Sequence, residues 1–277
     1  MRIDYQKYKL INNITNTKIV HISDIHFSNK YKIKRLEIIK NKIKKINPNY
    51  ICITGDLIDT YDVTKKDNFK YFINWIKEIS QIARLIIIQG NHEYIKKSTG
   101  KLEMITNIKW LKNLENDNIK ILDNEIYTEN NISFIGYEPG PEYYFKYKEK
   151  DQTKSNIKLS KIISNLNNNY NILLTHAPST IINKKNYKKI NNIEKVNLIL
   201  SGHTHGGLMP SFIPGNLGLI SPTRKLFPRK ARGKIKINNT TLIINTGTMK
   251  LSEKSGITKY NDIFGMNIIE IDIFTKK

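Results

Sequence analysis

Short strand-like apolar runs, amphipathic helical stripes between several of them, and two hairpin patterns place this chain in the α/β class, with sheets on both sides of a core and helices outside. At 277 residues and 32.3 kDa it is long enough to bury one large core without staples. No convincing linker, internal repeat or low-complexity tail divides it, so a single domain over residues 1–277 is expected.

The first run is TKIVHIS (17–23). In KIKRLEIIKNKIKKI, Ile33, Leu36, Ile39, Ile43 and Ile46 recur at spacings of three and four, which gives one apolar stripe with a lysine-rich back. Pro48 helps to end that helix. YICIT (50–54) follows, NFKYFINWIKEISQI repeats the stripe, and RLIIIQ (84–89) is the third run. KILDNEIYTENNISFIGYE reads as a strand and then a hairpin turning near Asn130 and Asn131. YFKYKEKDQTKS (144–155) reads as an exposed loop. NILLTH (171–176) and VNLILS (196–201) are the fourth and fifth runs; GKIKINNTTLIINTG is a second hairpin around Asn238 and Asn239, and MNIIEIDIF a last strand. Runs of this length and composition suit strands buried on both faces of a layered sheet.

Composition limits the function classes. The formal charge is +22, from 46 Lys+Arg against 24 Asp+Glu, a balance that points to nucleic acid or an anionic membrane when it is concentrated in one place. Here lysine, asparagine and isoleucine are abundant from end to end, as a base-composition bias would leave them. Basic residues crowd in PTRKLFPRKARGKIK, where Arg224, Lys225, Arg229, Lys230 and Arg232 could face an anionic head group or the bilayer surface, or form a solvated loop face. No stretch approaches a spanning helix and the N-terminus has no apolar h-region, so a soluble cytoplasmic protein, at most peripheral at the inner membrane face, is expected. The single cysteine, Cys52, excludes an intrachain disulfide and reads as a core residue.

The chemistry lies at the strand ends. The five runs are followed by, or end in, SDIHF, GDLID, GNHE, THAP and GHTHGG. In open α/β sheets ligands sit beyond the carboxyl ends of strands, so these segments converge on one edge. Of the 6 histidines, His26, His92, His176, His203 and His205 fall in them, with Asp24, Asp56 and Asn91; only His21 sits inside an apolar run. Imidazole, carboxylate and amide oxygen without a usable thiolate suit borderline divalent metals such as Mn, Fe, Co, Ni or Zn. This many candidates exceed what one catalytic ion with an open water position can use, and they suit two ions sharing a bridge, for which Asp56 is the best-placed carboxylate. Two such cations would deprotonate a bridging water and clamp phosphoryl oxygens. In D-x-H an extended backbone would point Asp24 and His26 the same way, and H-T-H would do the same for His203 and His205. Gly202, Gly206 and Gly207 would permit unusual backbone angles and close approach.

D-x-H, G-D-x-x-D, G-N-H-E, a histidine after a strand and G-H-x-H, in that order from Asp24 to His205, resemble the calcineurin-like metallophosphoesterase superfamily; GHTHGG without a large cap looks most like its bacterial YkuE-type branch. The resemblance implies a four-layer α/β/β/α sandwich with a dinuclear site at the C-terminal edge of the sheets. One ion would take Asp24, His26, Asp56 and His205, the other Asp56, Asn91, His176 and His203. His92 would protonate the leaving alkoxide or stabilise charge on the phosphoryl group. Asp59 and Glu93 also match motif positions and are expected as supporting, capping or surface residues. Leu208 stands where relatives often carry a polar residue. The implied substrate is a phosphate mono- or diester or a lipid-linked pyrophosphate; a nuclease or cyclic-nucleotide phosphodiesterase is the alternative, so nucleic acid stays among the partners considered, and a non-catalytic metal-binding module is the remaining class. No glycine-rich phosphate loop follows the first strand, which disfavours a P-loop or Rossmann nucleotide binder.

Overall fold

The computed structural model describes residues 2–28, 33–98, 101–104, 109–145, 149–178, 181, 188–207, 231–248 and 265–276. In chain order they form β1 (Ile3–Asn12), β2 (Thr17–Ile22), α1 (Ile33–Ile46), β3 (Tyr50–Thr54), α2 (Phe69–Ser80), β4 (Arg84–Ile88), a small hairpin of β5 (Ile95–Ser98) and β6 (Lys101–Met104), α3 (Lys109–Lys112) and β7 (Ile119–Ile121). Then come β8 (Ile126–Glu129), β9 (Ile132–Tyr137), α4 (Pro141–Phe145), α5 (Glu149–Ser164), β10 (Tyr170–Thr175), β11 (Leu198–Ser201), β12 (Gly233–Ile237), β13 (Thr240–Ile244) and β14 (Met266–Thr275).

Among the described residues there are two six-stranded mixed sheets, ordered β1-β14-β2-β3-β4-β7 and β12-β13-β11-β10-β9-β8. The alternation of side chains along each strand sorts the buried apolar residues into three layers. Ile51 and Ile53 face outward to Leu36, Ile39 and Ile43 of α1 and Phe72, Trp75 and Ile76 of α2. Tyr50 and Cys52 face inward with Ile19, Ile86 and Ile88 against Phe134, Ile172, Leu174, Leu198 and Leu200 of the other sheet. Ile135, Leu173, Ile199 and Leu242 turn to the far side, where Leu159 and Ile163 of α5 cover them. The result is the four-layer α/β/β/α sandwich, with Cys52 fully buried between the sheets. Trp75 Nε1 donates to Leu36 O at 2.7 Å and so ties the two outer helices together.

Both hairpins turn where the asparagines stand. Glu129 pairs with Ile132 across Asn130 and Asn131, which take φ +50° and +61°, as a tight type I′ turn requires. Ile237 pairs with Thr240 across Asn238 and Asn239, with Asn238 at φ +51°. The described residues of 144–155 differ from the expected exposed loop. Tyr144 lies within α4, and α5 starts at Glu149, with Ser155 and Asn156 buried and Tyr137 Oη donating to Ser155 O at 2.9 Å. The polar start of this helix hides its thin apolar stripe, which shows only at Leu159 and Ile163. The first strand, β1, pairs in parallel with β14, from the other end of the chain. Among the described residues no helix is long and apolar enough to cross a membrane.

His21 is the polar intrusion in the inter-sheet layer. It is fully buried on the same face of β2 as Ile19, with Nε2 2.9 Å from Thr54 Oγ1. Burial lowers its pKa to about 3. The unfolded chain therefore binds the extra proton first, and His21 stabilises fully only above the unfolded value of about 6.5, losing that contribution as pH falls toward 3. Chemical unfolding of wild type and His21→Gln at pH 7 and pH 5 should show the stability difference moving by about 2 kcal/mol in favour of the variant at the lower pH. A difference that stays constant with pH would contradict a neutral, buried His21.

Candidate metal centre

Where β2, β3 and β11 end, the backbone turns sharply. Asp24, His26, Asp56, His203 and His205 all take positive φ, at +51°, +45°, +53°, +66° and +50°. Non-glycine residues in this region are strained, and they persist where the surroundings fix them, often at functional sites. The expected extended D-x-H and H-T-H segments are therefore not formed. The first sheet instead closes its own edge: Asp24 N–H donates to Gly55 O at 3.1 Å, His26 N–H to Asp56 O at 2.9 Å and Phe27 N–H to Leu57 O at 2.9 Å. These bonds lay the D-x-H and G-D segments side by side, and the left-handed turns aim the side chains that an extended strand would have splayed.

The glycines allow the close approach. A Cβ on Gly202 would collide with Ser23 Oγ and Asp24 Oδ2, and one on Gly90 would meet Asp56 N at 2.5 Å and His176 Nδ1 at 2.9 Å. Gly206 and Gly207, at φ +71° and +94°, complete the turn after His205.

The structure brings together all seven expected ligands and His92. Asp24, His26 and His205 offer donor atoms within 4.8 Å of one another, and so do Asp56, His176 and His203. Asp24 Oδ1 lies 3.4 Å from His205 Nε2. Asp56 Oδ2 stands between the two groups, 3.4 Å from His26 Nε2 and 3.2 Å from His176 Nε2. His176 Nε2 is 3.1 Å from both Asn91 Oδ1 and His203 Nδ1. His92 forms a third group with His26 and Asp56, its ring centroid 4.3 Å from that of His26.

A second tier of contacts orients these groups, as ligand sites require. Thr54 O accepts from His176 Nδ1 at 2.7 Å, which turns Nε2 toward the cluster. Asp24 accepts the His203 N–H at 3.0 Å, and Asp56 Oδ1 accepts the His92 N–H at 2.8 Å. Asp59 contributes its backbone carbonyl, bonded to His92 Nδ1. Glu93, expected as a supporting, capping or surface residue, is fully buried. Its carboxylate takes N–H groups from Asp56 (3.0 Å), Leu57 (2.8 Å), Ile58 (3.2 Å) and Gly90 (2.6 Å), clamping the G-D and G-N-H-E turns together. Burial and the adjacent Asp56 raise its carboxyl to about 7 against the pull of those donors.

The cluster attracts positive charge. Burial raises Asp24 to about 6. Burial also pushes Asp56 upward, but His176, His92 and His26 outweigh it and hold the carboxyl well below the ordinary range. Burial would lower His176, yet Asp56 and Asp24 raise it to about 10. Two buried carboxylates that draw a proton onto a fully buried imidazole form an electrostatic well for cations, and the oxygen and imidazole donors fit borderline divalent metals.

Two residues of this edge escaped the sequence reading although the same strand-end rule reaches them. Glu138 follows β9, is buried, and has its carboxyl raised to about 8 by that burial. Tyr144 lies with its ring centroid 5.8 Å from that of His203. Of the basic run, Arg224, Lys225, Arg229 and Lys230 lie outside the described residues, as does Leu208; Arg232 is turned inward and donates to Gly206 O at 3.4 Å. Replacing Gly90 by alanine should cost about 1–3 kcal/mol of stability by overpacking and lower bound metal. Thermal unfolding and elemental analysis check this, and an alanine variant with wild-type metal content and stability would contradict the packing described.

Residues 17–207 match the family described as calcineurin-like phosphoesterase. An uncharacterized metallophosphoesterase of Campylobacter jejuni, Cj0846, is 28% identical over 199 residues, which cover 71% of this chain and 46% of that protein. One from Aquifex aeolicus is 25% identical over 199 residues, 70% of this chain and 65% of the relative. YkuE of Bacillus subtilis is 25% identical over 235 residues, 83% and 71% respectively. The aligned part thus spans less than two thirds of the Campylobacter and Aquifex proteins. The family match takes in more than half of the chain and every strand end from Asp24 to His205, and the chain belongs to the calcineurin-like phosphoesterase family.

Proposed function

We propose that the chain hydrolyses phosphate mono- or diesters at a centre of two divalent cations. The observation that carries this reading is the pair of donor groups, Asp24, His26 and His205 on one side and Asp56, His176 and His203 on the other, joined by the Asp56 carboxylate. Asp24, His26, Asp56 and His205 would hold one cation and Asp56, Asn91, His176 and His203 the other. The pair supplies Lewis-acid polarisation of phosphoryl oxygens and activation of water.

The remaining work falls to the chain. His92, partly exposed beside the buried Asp24, His26, Asp56 and His176, delivers a proton to the leaving oxygen, and the Asp59 carbonyl on Nδ1 fixes the ring so that Nε2 carries it. Manganese, iron or zinc suits the donor set. The substrate panel includes a lipid-linked pyrophosphate beside simple esters.

Hydrolysis of bis-p-nitrophenyl phosphate and p-nitrophenyl phosphate should be absent from metal-stripped protein and return with manganese. His92→Ala should keep its metal and lose roughly 10²-fold or more in kcat. Asp56→Asn should lose metal and activity together. Turnover in stripped protein, or an unimpaired His92→Ala variant, would overturn this reading.

A further inference from the structure

Building on that reading, we infer that the Tyr144 hydroxyl is a binding group for the phosphoryl oxygens on the His176 and His203 side of the centre, and that Glu138 is the positioning residue that holds it there. Strand β9 runs parallel to β10, so its C-terminal end reaches the same edge, and Glu138 follows it directly. Three residues later α4 begins to pack against the turn Asn91–Tyr94. This placement sets the Tyr144 ring 5.8 Å from His203 and 6.2 Å from His176, tilted 54° and 59° to them.

The surroundings fit a polar duty better than an apolar wall. Glu138 is buried, and its backbone is pinned on both sides: its N–H donates to Asn124 Oδ1 at 3.1 Å, and its carbonyl accepts Lys158 Nζ at 2.8 Å. Its carboxyl accepts Gly140 N–H at 3.1 Å and the Tyr144 hydroxyl at 3.5 Å. Burying a carboxyl costs free energy, and a mere ring wall would gain nothing from it. The 3.5 Å bond is at the limit of hydrogen bonding, so it orients the phenol without holding it firmly. Tyr144 is partly buried, and its one O–H proton can turn from this weak contact to an incoming anion. A neutral O–H donor adds to anion binding without displacing a ligand from either group.

The test uses the full chain loaded with manganese, with inorganic phosphate as probe. Tyr144→Phe keeps the ring, so its metal content and melting temperature should match wild type while calorimetric Kd for phosphate rises about tenfold, with a similar loss in kcat/KM toward bis-p-nitrophenyl phosphate. Glu138→Gln should raise the phosphate Kd by a smaller factor at unchanged metal content. Phosphate binding equal in wild type and Tyr144→Phe would overturn this inference alone. Wild-type protein that binds manganese but neither phosphate nor ester would overturn it together with the hydrolase reading.

Discussion

The Asp56 carboxylate sits between imidazoles carried by different sheets, His26 beyond β2 and His176 beyond β10, and is itself almost wholly buried. Placing it there needs both sheet edges within a few ångströms of each other, which no local helix or hairpin can arrange. The inter-sheet layer does so. Apolar side chains from Ile19 and Cys52 to Ile172 and Leu200 fix the spacing, and above them a polar belt takes over. Ser23 Oγ donates to Thr54 O at 3.0 Å, and Ser201 Oγ donates to His176 O at 2.9 Å. These bonds tie the strand ends within each sheet, and Thr54 O, which accepts from His176 Nδ1 at 2.7 Å, ties the two sheets to each other.

Such an arrangement is costly without a cation. Two carboxylates and several imidazoles lose hydration together, five of the donor residues occupy the left-handed region, and glycine is required wherever a Cβ would collide. The protein meets these costs with backbone donors. Glu93 gathers four N–H groups, Asp24 and Asp56 each take one from a histidine of the cluster, and Thr54 fixes the His176 tautomer. Stability and site geometry therefore rest on the same bonds.

Much of this was legible in the chain. Strands ending in D-x-H, G-D, G-N-H-E, T-H and G-H-T-H bring their residues to one edge because parallel strands end on the same side, and spacing alone carries that information. The layer of each strand residue follows from alternation, as Ile51 and Cys52 illustrate. The backbone conformation of Asp24, His26, His203 and His205 was not legible, because positive φ in a non-glycine residue is imposed by tertiary bonds such as those to Gly55 and Asp56. Strand β1 escaped notice since its lysine-rich pattern acquires meaning only by pairing with β14, more than 250 residues away. Helix α5 hid behind a polar first half, and Glu138 and Tyr144 carry no motif that singles out a glutamate and a tyrosine.

We propose that the Asp56 carboxylate joins two cation sites. Anomalous diffraction from crystals soaked in manganese tests it directly. Two peaks are expected, one among Asp24, His26 and His205 and one among Asn91, His176 and His203, both in contact with Asp56. A single peak, or two that do not share Asp56, would contradict it.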